Sequence, residues 1–309
     1  MKVVVTGATG FMGISLIQRL LILNHQPVVL TRSPAKARTI LPENVTLCPF
    51  DYRHPERSIE PLENADAVVH LAGETVKGRW TKQKRNQILE SRKLSTRLLA
   101  EKMSGLYHPP KTFICASAIG YYGDSGEREL TESSPGGEDF LSEVCSVWEE
   151  EACKAEHAGI RVVSMRFGII LGRDSGAFNE MLPLFQWGLG GPLGCGKQWW
   201  SWVHLEDAVN AIIHGLTNPL EGPVNVVSRE PIRQKDFARH LGKALKRPAF
   251  MPMPAPLLKL ILGGFSSELL SSRRVVPRKL EQSGFGFRFP ELGKALEDLV
   301  DRASEVSSL

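Results

Sequence analysis

The chain has 309 residues, 42 % of them hydrophobic and 23 % charged, which is the balance of an ordinary globular protein large enough to bury a core unaided. Its 38 basic and 34 acidic residues leave a net charge of +4, too small an excess to argue for a nucleic-acid partner or a membrane surface. Cys48, Cys115, Cys145, Cys153 and Cys195 are scattered without metal-ligand spacing, which predicts free thiols, no metal and a reducing, cytoplasmic setting.

The first predicted element is the run KVVVT at residues 2–6, a buried parallel strand. It meets Gly7-Ala8-Thr9-Gly10-Phe11-Met12-Gly13 at once, and a helix is expected over 11–24 from the apolar positions Ile14, Ile17, Leu20 and Leu21. That early glycine break also argues against a signal peptide. A second strand follows at 28–31, completing one βαβ unit with a right-handed crossover. The three glycines do different things. Gly7 permits the tight turn, Gly10 lets backbone approach a pyrophosphate, and Gly13 lets the helix pack closely on the strand. The helix N-terminus then aims amide hydrogens and a positive dipole end at the phosphates. A three-glycine pattern alone is weak, but between a strand and a helix it points to a dinucleotide. The second strand ends in Thr31-Arg32-Ser33 with no carboxylate to accept from ribose hydroxyls. Arg32 offers a planar fork and Ser33 a hydroxyl, which favours the extra phosphate of NADP(H) over NAD(H). Lys36 and Arg38 read as surface cations.

Trp199, Trp200 and Trp202 come within four residues amid glycines, and the segment 188–202 is expected to close over a ligand beside the cofactor or to anchor a second lobe. Helices are expected from Glu206 to Leu216 and from Gln234 to Leu245. The run FMPMPAP at 250–256 is an extended connection, since proline blocks helix there. It leads to an amphipathic stretch at 257–270. Arg273, Arg274, Arg278 and Lys279 form a basic cluster that reads as a solvated face.

Taken together, these segments resemble the extended and atypical short-chain dehydrogenase/reductases of the NAD-dependent epimerase/dehydratase type. The resemblance rests on the loop TGATGFMG, the strand AVVHLAG ending at Gly73, Asp51-Tyr52, the Ser117–Gly123 segment, Arg166–Gly172 and the WVHLEDA segment at 202–208. It is closer to a subset named only "epimerase family protein", some cyanobacterial and plastid members of which are called cell-division-inhibitor homologues. That subset shares the tryptophan-rich loop and a C-terminal pattern, here Pro277-Arg278-Lys279-Leu280 with Gly284-Phe285-Gly286-Phe287. The resemblance implies an α/β fold, a doubly wound parallel sheet with a smaller C-terminal substrate lobe. It also implies that the runs 67–73, 113–116 and 166–172 are strands. The NADP-binding domain would span 1–175, with its sheet completed by segments near 200–230. Residues 176–309 would form mainly the substrate lobe, with 245–300 its family-specific part. Cofactor contacts are implied at Gly7, Thr9, Gly10, Phe11, Met12 and Gly13, and at Thr31, Arg32, Ser33 and Asp51. They are also implied at Leu71, Ala72, Gly73, Arg92, Ala116, Ser117 and Arg166.

The chain departs from this family at the proton relay. Active members use a Ser or Thr with Tyr-x-x-x-Lys, and alignment on Glu149 and Arg166 puts Leu141 and Cys145 at the Tyr and Lys positions. Ala118 falls where the hydroxyl belongs. No other Tyr-x-x-x-Lys occurs in 115–170. Leucine has no proton to give, and a thiol carries no cation to hold a ribose. Substitute candidates for catalysis are Tyr121 and Tyr122, one of which reads as packing, and His204, for which the resemblance implies a structural role more often. Glu143 reads as a helix-surface carboxylate. Three functions follow: an NADP(H)-dependent oxidoreductase or epimerase acting on a small molecule with a nonstandard proton donor, an NADP(H) sensor, or an interaction protein with a protein partner, linked to cell or plastid division.

Overall fold

The computed structural model describes residues 1–54, 60–173 and 176–306. The expected domain boundary at 175 lies outside the described residues.

β1 (Lys2–Thr6) turns through the glycine loop into α1 (Phe11–Ile22), and β2 (Gln26–Thr31) follows. The stripe Gly13, Leu16, Ile17 and Leu20 is the buried face of α1. The helix stops short of residue 24, where Asn24 adopts the left-handed conformation at φ 56°. α2 (Pro34–Arg38) is one turn, capped by the Ser33 hydroxyl, and leads to β3 (Thr46–Pro49) and β4 (Ala67–His70). α3 (Lys82–Ser104) is capped by Thr81 and precedes β5 (Thr112–Ala118). β6 (Glu129–Leu130), α4 (Phe140–Cys153, capped by Asp139) and β7 (Arg161–Phe167) come next. β8 (Ile169–Leu171), α5 (Gly176–Gln186), β9 (Trp199–Trp200), β10 (Trp202–His204) and α6 (Leu205–Thr217) carry the chain to β11 (Gly222–Val226). The C-terminal part holds β12 (Ile232–Arg233), α7 (Gln234–Ala244), α8 (Ala255–Leu262), α9 (Ser266–Leu270), β13 (Arg274–Val275), α10 (Arg278–Gln282) and α11 (Leu292–Val306).

Seven strands form the main sheet in the order β3-β2-β1-β4-β5-β7-β11. Every pairing in it is parallel. The order reverses between β1 and β4, which opens a crevice at the carboxyl ends of those strands. Val3, Val4 and Val5 of β1 and Val68 and Val69 of β4 are fully buried, as strands covered on both faces must be. The sheet is therefore the Rossmann-type doubly wound sheet that the sequence implies.

Three expectations need revision. The run 166–172 is two strands rather than one. It splits at Gly168, where a Cβ would lie 2.6 Å from the Ser201 carbonyl oxygen. β7 stays in the main sheet while β8 leaves it to pair with β10. The stretch 257–270 is likewise broken at Gly263, whose φ of +57° ends α8. The tryptophan-rich segment is not a free lid. Trp200 and Trp202 are buried in a second core with Leu171, Phe178, Phe237 and Leu296. β9 is also paired to β12 and β10 to β8, so the segment anchors the C-terminal lobe. Among the described residues no helix is long and apolar enough to cross a membrane.

Candidate functional site

The crevice between β1 and β4 is a groove of about 270 Å3. Its floor is the glycine turn. Gly10 N–H donates to the Gly7 carbonyl at 3.0 Å, closing that turn. Gly7 sits at φ +71°, and a Cβ there would lie 2.7 Å from the carbonyl carbon of Leu71. A Cβ on Gly13 would lie 2.3 Å from the Gly7 carbonyl oxygen. Both positions therefore exclude a side chain. Gly10 caps α1 with no side-chain hydrogen bond, and the first turn holds no acidic residue. The first amides of the helix and its positive dipole end are left for an anion. This cradle fits a pyrophosphate.

Gly7, Thr9 and Gly10 line the groove, with Thr31 and Arg32 from the end of β2 and Leu71, Ala72 and Gly73 after β4. The sequence also nominated Phe11, Met12, Gly13, Ser33, Asp51, Arg92, Ala116, Ser117 and Arg166, which lie outside that lining. Gly13 acts through the close helix contact just described. Phe11 packs its ring against Gly172 and Gly176, and Met12 packs on the main core. Ser33 spends its hydroxyl oxygen accepting the Lys36 amide hydrogen at 3.4 Å. Asp51 turns to Arg53 at 2.6 Å, which holds its carboxyl down at about 2. Its neighbours Phe50 and Tyr52 are the residues that reach the groove.

Arg32 is exposed at the groove mouth and has no hydrogen bond or ion pair among the described residues. Arg38, by contrast, donates to the carbonyls of Pro42, Glu43 and Val45, and so serves the local loop. Arg92 lies at the other end. Its guanidinium carbon would be 3.0 Å from a Cβ on Gly73, and it stacks 4.7 Å above the Trp148 ring. It donates to the carbonyls of Glu74 and Ile88. Burial pulls its pKa down, yet a guanidinium stays charged.

Sequence reading missed the polar strut beneath the groove. His70, fully buried at the end of β4, shares hydrogen bonds with the Thr6 hydroxyl at 2.6 Å and the Ser95 hydroxyl at 3.1 Å. Burial, and next the Arg92 charge, lower its pKa to about 3, so the ring is neutral. The available signal was a hydroxyl ending β1 in register with a histidine ending β4.

The relay positions hold no proton chemistry. Leu141 and Cys145 are buried side by side against Gly120. Burial, with Glu149 nearby, pushes the Cys145 thiol up to about 11. Ser117 donates to Glu149 at 2.6 Å, and Glu149 is clamped by Arg166 at 2.7 and 2.8 Å, so these nominated residues form a closed internal network. Ala116 is buried beside it. Tyr122 is 1 % exposed. Its hydroxyl donates to Asn225 at 2.7 Å and accepts from Arg166 at 2.9 Å. Burial pushes its pKa up to about 12, which weakens it as an acid, and its proton already goes to Asn225. His204 is buried, accepts the Glu206 amide hydrogen as the cap of α6, stacks on Phe289 and lies 3.5 Å from Asp298. Its place is structural, in the packing of the second lobe. Tyr121 differs. It is half-buried at the carboxyl end of β5, with the Arg166 guanidinium 3.5 Å over its ring and its hydroxyl without a hydrogen bond among the described residues. Glu143 is exposed, and all five cysteines are free.

Comparison with known proteins agrees with this geometry. The model of the NAD dependent epimerase/dehydratase family matches residues 3–227, and that of a domain of unknown function, DUF1731, matches residues 253–299. The chain is 38 % identical to the chloroplastic epimerase family protein SDR39U1 homologue of Arabidopsis thaliana, over 97 % of this chain and 87 % of the relative. It is 36 % identical to the epimerase family protein YfhF of Bacillus subtilis, over 97 % and 98 %. The crystal structure of human epimerase family protein SDR39U1 (isoform 2) with NADPH superposes with a TM-score of 0.88 at 32 % identity, covering 97 % of this chain and 99 % of that one.

Proposed function

This chain belongs to the NAD dependent epimerase/dehydratase family, and on that premise we propose that it holds NADP(H) and acts as an oxidoreductase or epimerase without the Ser-Tyr-Lys relay. The observation that carries this reading is the groove itself. It runs from the uncapped start of α1 to Arg32, which has no partner among the described residues, with no carboxylate at the end of β2. The α1 amides would bind the pyrophosphate, and the Arg32 fork would bind the adenosine 2′-phosphate. Phe50 and Tyr52 would cover the adenine. Arg92 keeps a positive charge against Gly73, near where Cys145 supplies none. The dinucleotide, when bound, supplies the hydride. Tyr121 is the chain's best proton donor, because its hydroxyl has no hydrogen bond among the described residues. Residues 1–175, with segments near 200–230, form the dinucleotide domain in this reading, and 176–309 form mainly the substrate lobe. The five free thiols fit a reducing, cytoplasmic compartment.

A second reading, an NADP(H) sensor or interaction protein, including one linked to cell or plastid division, is favoured by the buried Leu141 and Cys145. Turnover separates the two. NADPH should bind and be oxidised slowly against a panel of ketones, quinones and sugar nucleotides, since a positioned acid is worth about 10²–10⁴ in rate. Tyr121→Phe should abolish what turnover there is. Fast oxidation, above about 10 per second, that survives Tyr121→Phe would contradict the missing-relay reading.

A further inference from the structure

A second cavity, of about 490 Å3, lies where the loop after β4 meets the start of α4 and the α8–α9 segment. It adjoins the region of the absent relay. Leu141 lines it, and the loop that starts at groove residues Gly73 and Glu74 ends at Trp80 in the cavity wall. Arg79 ties that loop to α8 by donating to the Leu260 carbonyl at 2.9 Å.

Part of the wall is aromatic. Trp80 and Phe140 meet edge to face at 5.2 Å, with Phe265 at 6.4 Å from the indole. Gly264 packs on the indole so closely that a Cβ would lie 3.0 Å from it. The indole N–H is spent on the Val76 carbonyl at 2.7 Å. The wall serines are spent as well: Ser266 donates to Gly263 at 2.6 Å and Ser267 to Gly264 at 2.8 Å. A polyhydroxylated sugar would find few unpaired donors here, and leaving its hydroxyls unmatched is costly.

The charges are unevenly balanced. Glu268 is held by both terminal guanidinium nitrogens of buried Arg273, at 2.6 and 2.9 Å. Asp139 lies 3.8 Å from the same guanidinium and accepts the Ser142 amide hydrogen at 2.9 Å. The two carboxylates share this one guanidinium, so with Arg85 and Lys259 the wall carries a net charge of about +1. Arg85 and Lys259 have no carboxylate partner among the described residues, and Arg85 only stacks on Phe140 at 4.2 Å. What remains is an aromatic surface beside two cations without a carboxylate partner among the described residues, with one net positive charge.

We propose that this cavity is the substrate site and takes a planar, apolar carboxylate, its rings on Trp80 and the edge of Phe140 and its anionic end toward Arg85 and Lys259. The size lies within the roughly 300–1,000 Å3 of small-molecule sites. The proposal rests on the NADP(H) reading, since a molecule held here is a reactant only when the groove is filled.

The test is calorimetry on the full chain, with and without saturating NADPH. The probes are 2-naphthoate, its neutral analogue 2-naphthalenemethanol, and UDP-glucose. 2-Naphthoate should bind about tenfold or more tightly than the neutral analogue. Arg85→Gln/Lys259→Gln should erase that preference while NADPH affinity holds. Trp80→Leu should weaken both aromatic probes. The double variant changes exposed side chains, so it remains informative should Trp80→Leu misfold. Equal affinity for the two aromatic probes, tighter binding of UDP-glucose, or no naphthoate binding alongside normal NADPH binding would overturn the substrate class alone. Naphthoate binding without any NADPH binding would instead overturn the cofactor reading, and with it the cavity's role in a reaction.

Discussion

His70 shows how a single side chain can tie the ends of β1 and β4 to α3 beside the crevice. It is wholly buried between Thr6 and Ser95, and must stay neutral there. Its pKa falls from 6.5 in the unfolded chain to about 3 in the fold. Unfolding therefore takes up a proton below pH 6.5, so its share of stability is whole above that pH and is lost as pH falls toward 3. Urea unfolding of the native chain and of His70→Asn should show their stability difference shrinking by about 2 kcal/mol between pH 7.5 and 5. A difference that does not move with pH would contradict the buried neutral ring. At this scale the sequence was partly legible. The glycines carry their reasons locally, because a forbidden Cβ is a property of one turn. Tyr122 and His204 were not separable from true proton donors, because their burial is set by Asn225, Arg166 and Phe289, far away in sequence.

At the scale of elements, periodicity located strands and helices well wherever one face is buried. It gave α6 and α7 to within a residue or so at each end. The resemblance gave 166–172 as one strand, but Gly168 lets the chain pass close to Ser201 and change sheets between β7 and β8. The sequence also left the tryptophan segment open between lid and anchor. Packing decides for the anchor, with Trp202 1 % exposed. Trp202→Ala should therefore cost about 3–5 kcal/mol in chemical denaturation, as truncating a buried aromatic does. A loss within about 0.5 kcal/mol, the usual figure for an exposed site, would restore the mobile loop.

Across the whole molecule, the two lobes are interleaved rather than joined end to end. Leu280 and Phe285 of the C-terminal PRKL and GFGF pattern pack in the main core, next to the Rossmann sheet. α11 instead packs on α7 around the second core. The first βαβ crossover could be anticipated from local rules, and the doubly wound sheet from the family resemblance. The return of residues 280–285 to the first lobe could not, because nothing in a short apolar motif states which surface it covers. The groove is the common product of these scales, and its selectivity is the claim on which the functional reading depends. Calorimetric titration of the native chain and of Arg32→Ala with NADPH and NADH tests it most directly. NADPH should bind about 10- to 100-fold more tightly than NADH, the value of one charge-assisted contact to a phosphate, and Arg32→Ala should bring the two affinities together. Equal affinities in the native chain, or a preference that survives the substitution, would contradict NADP(H) selection by Arg32.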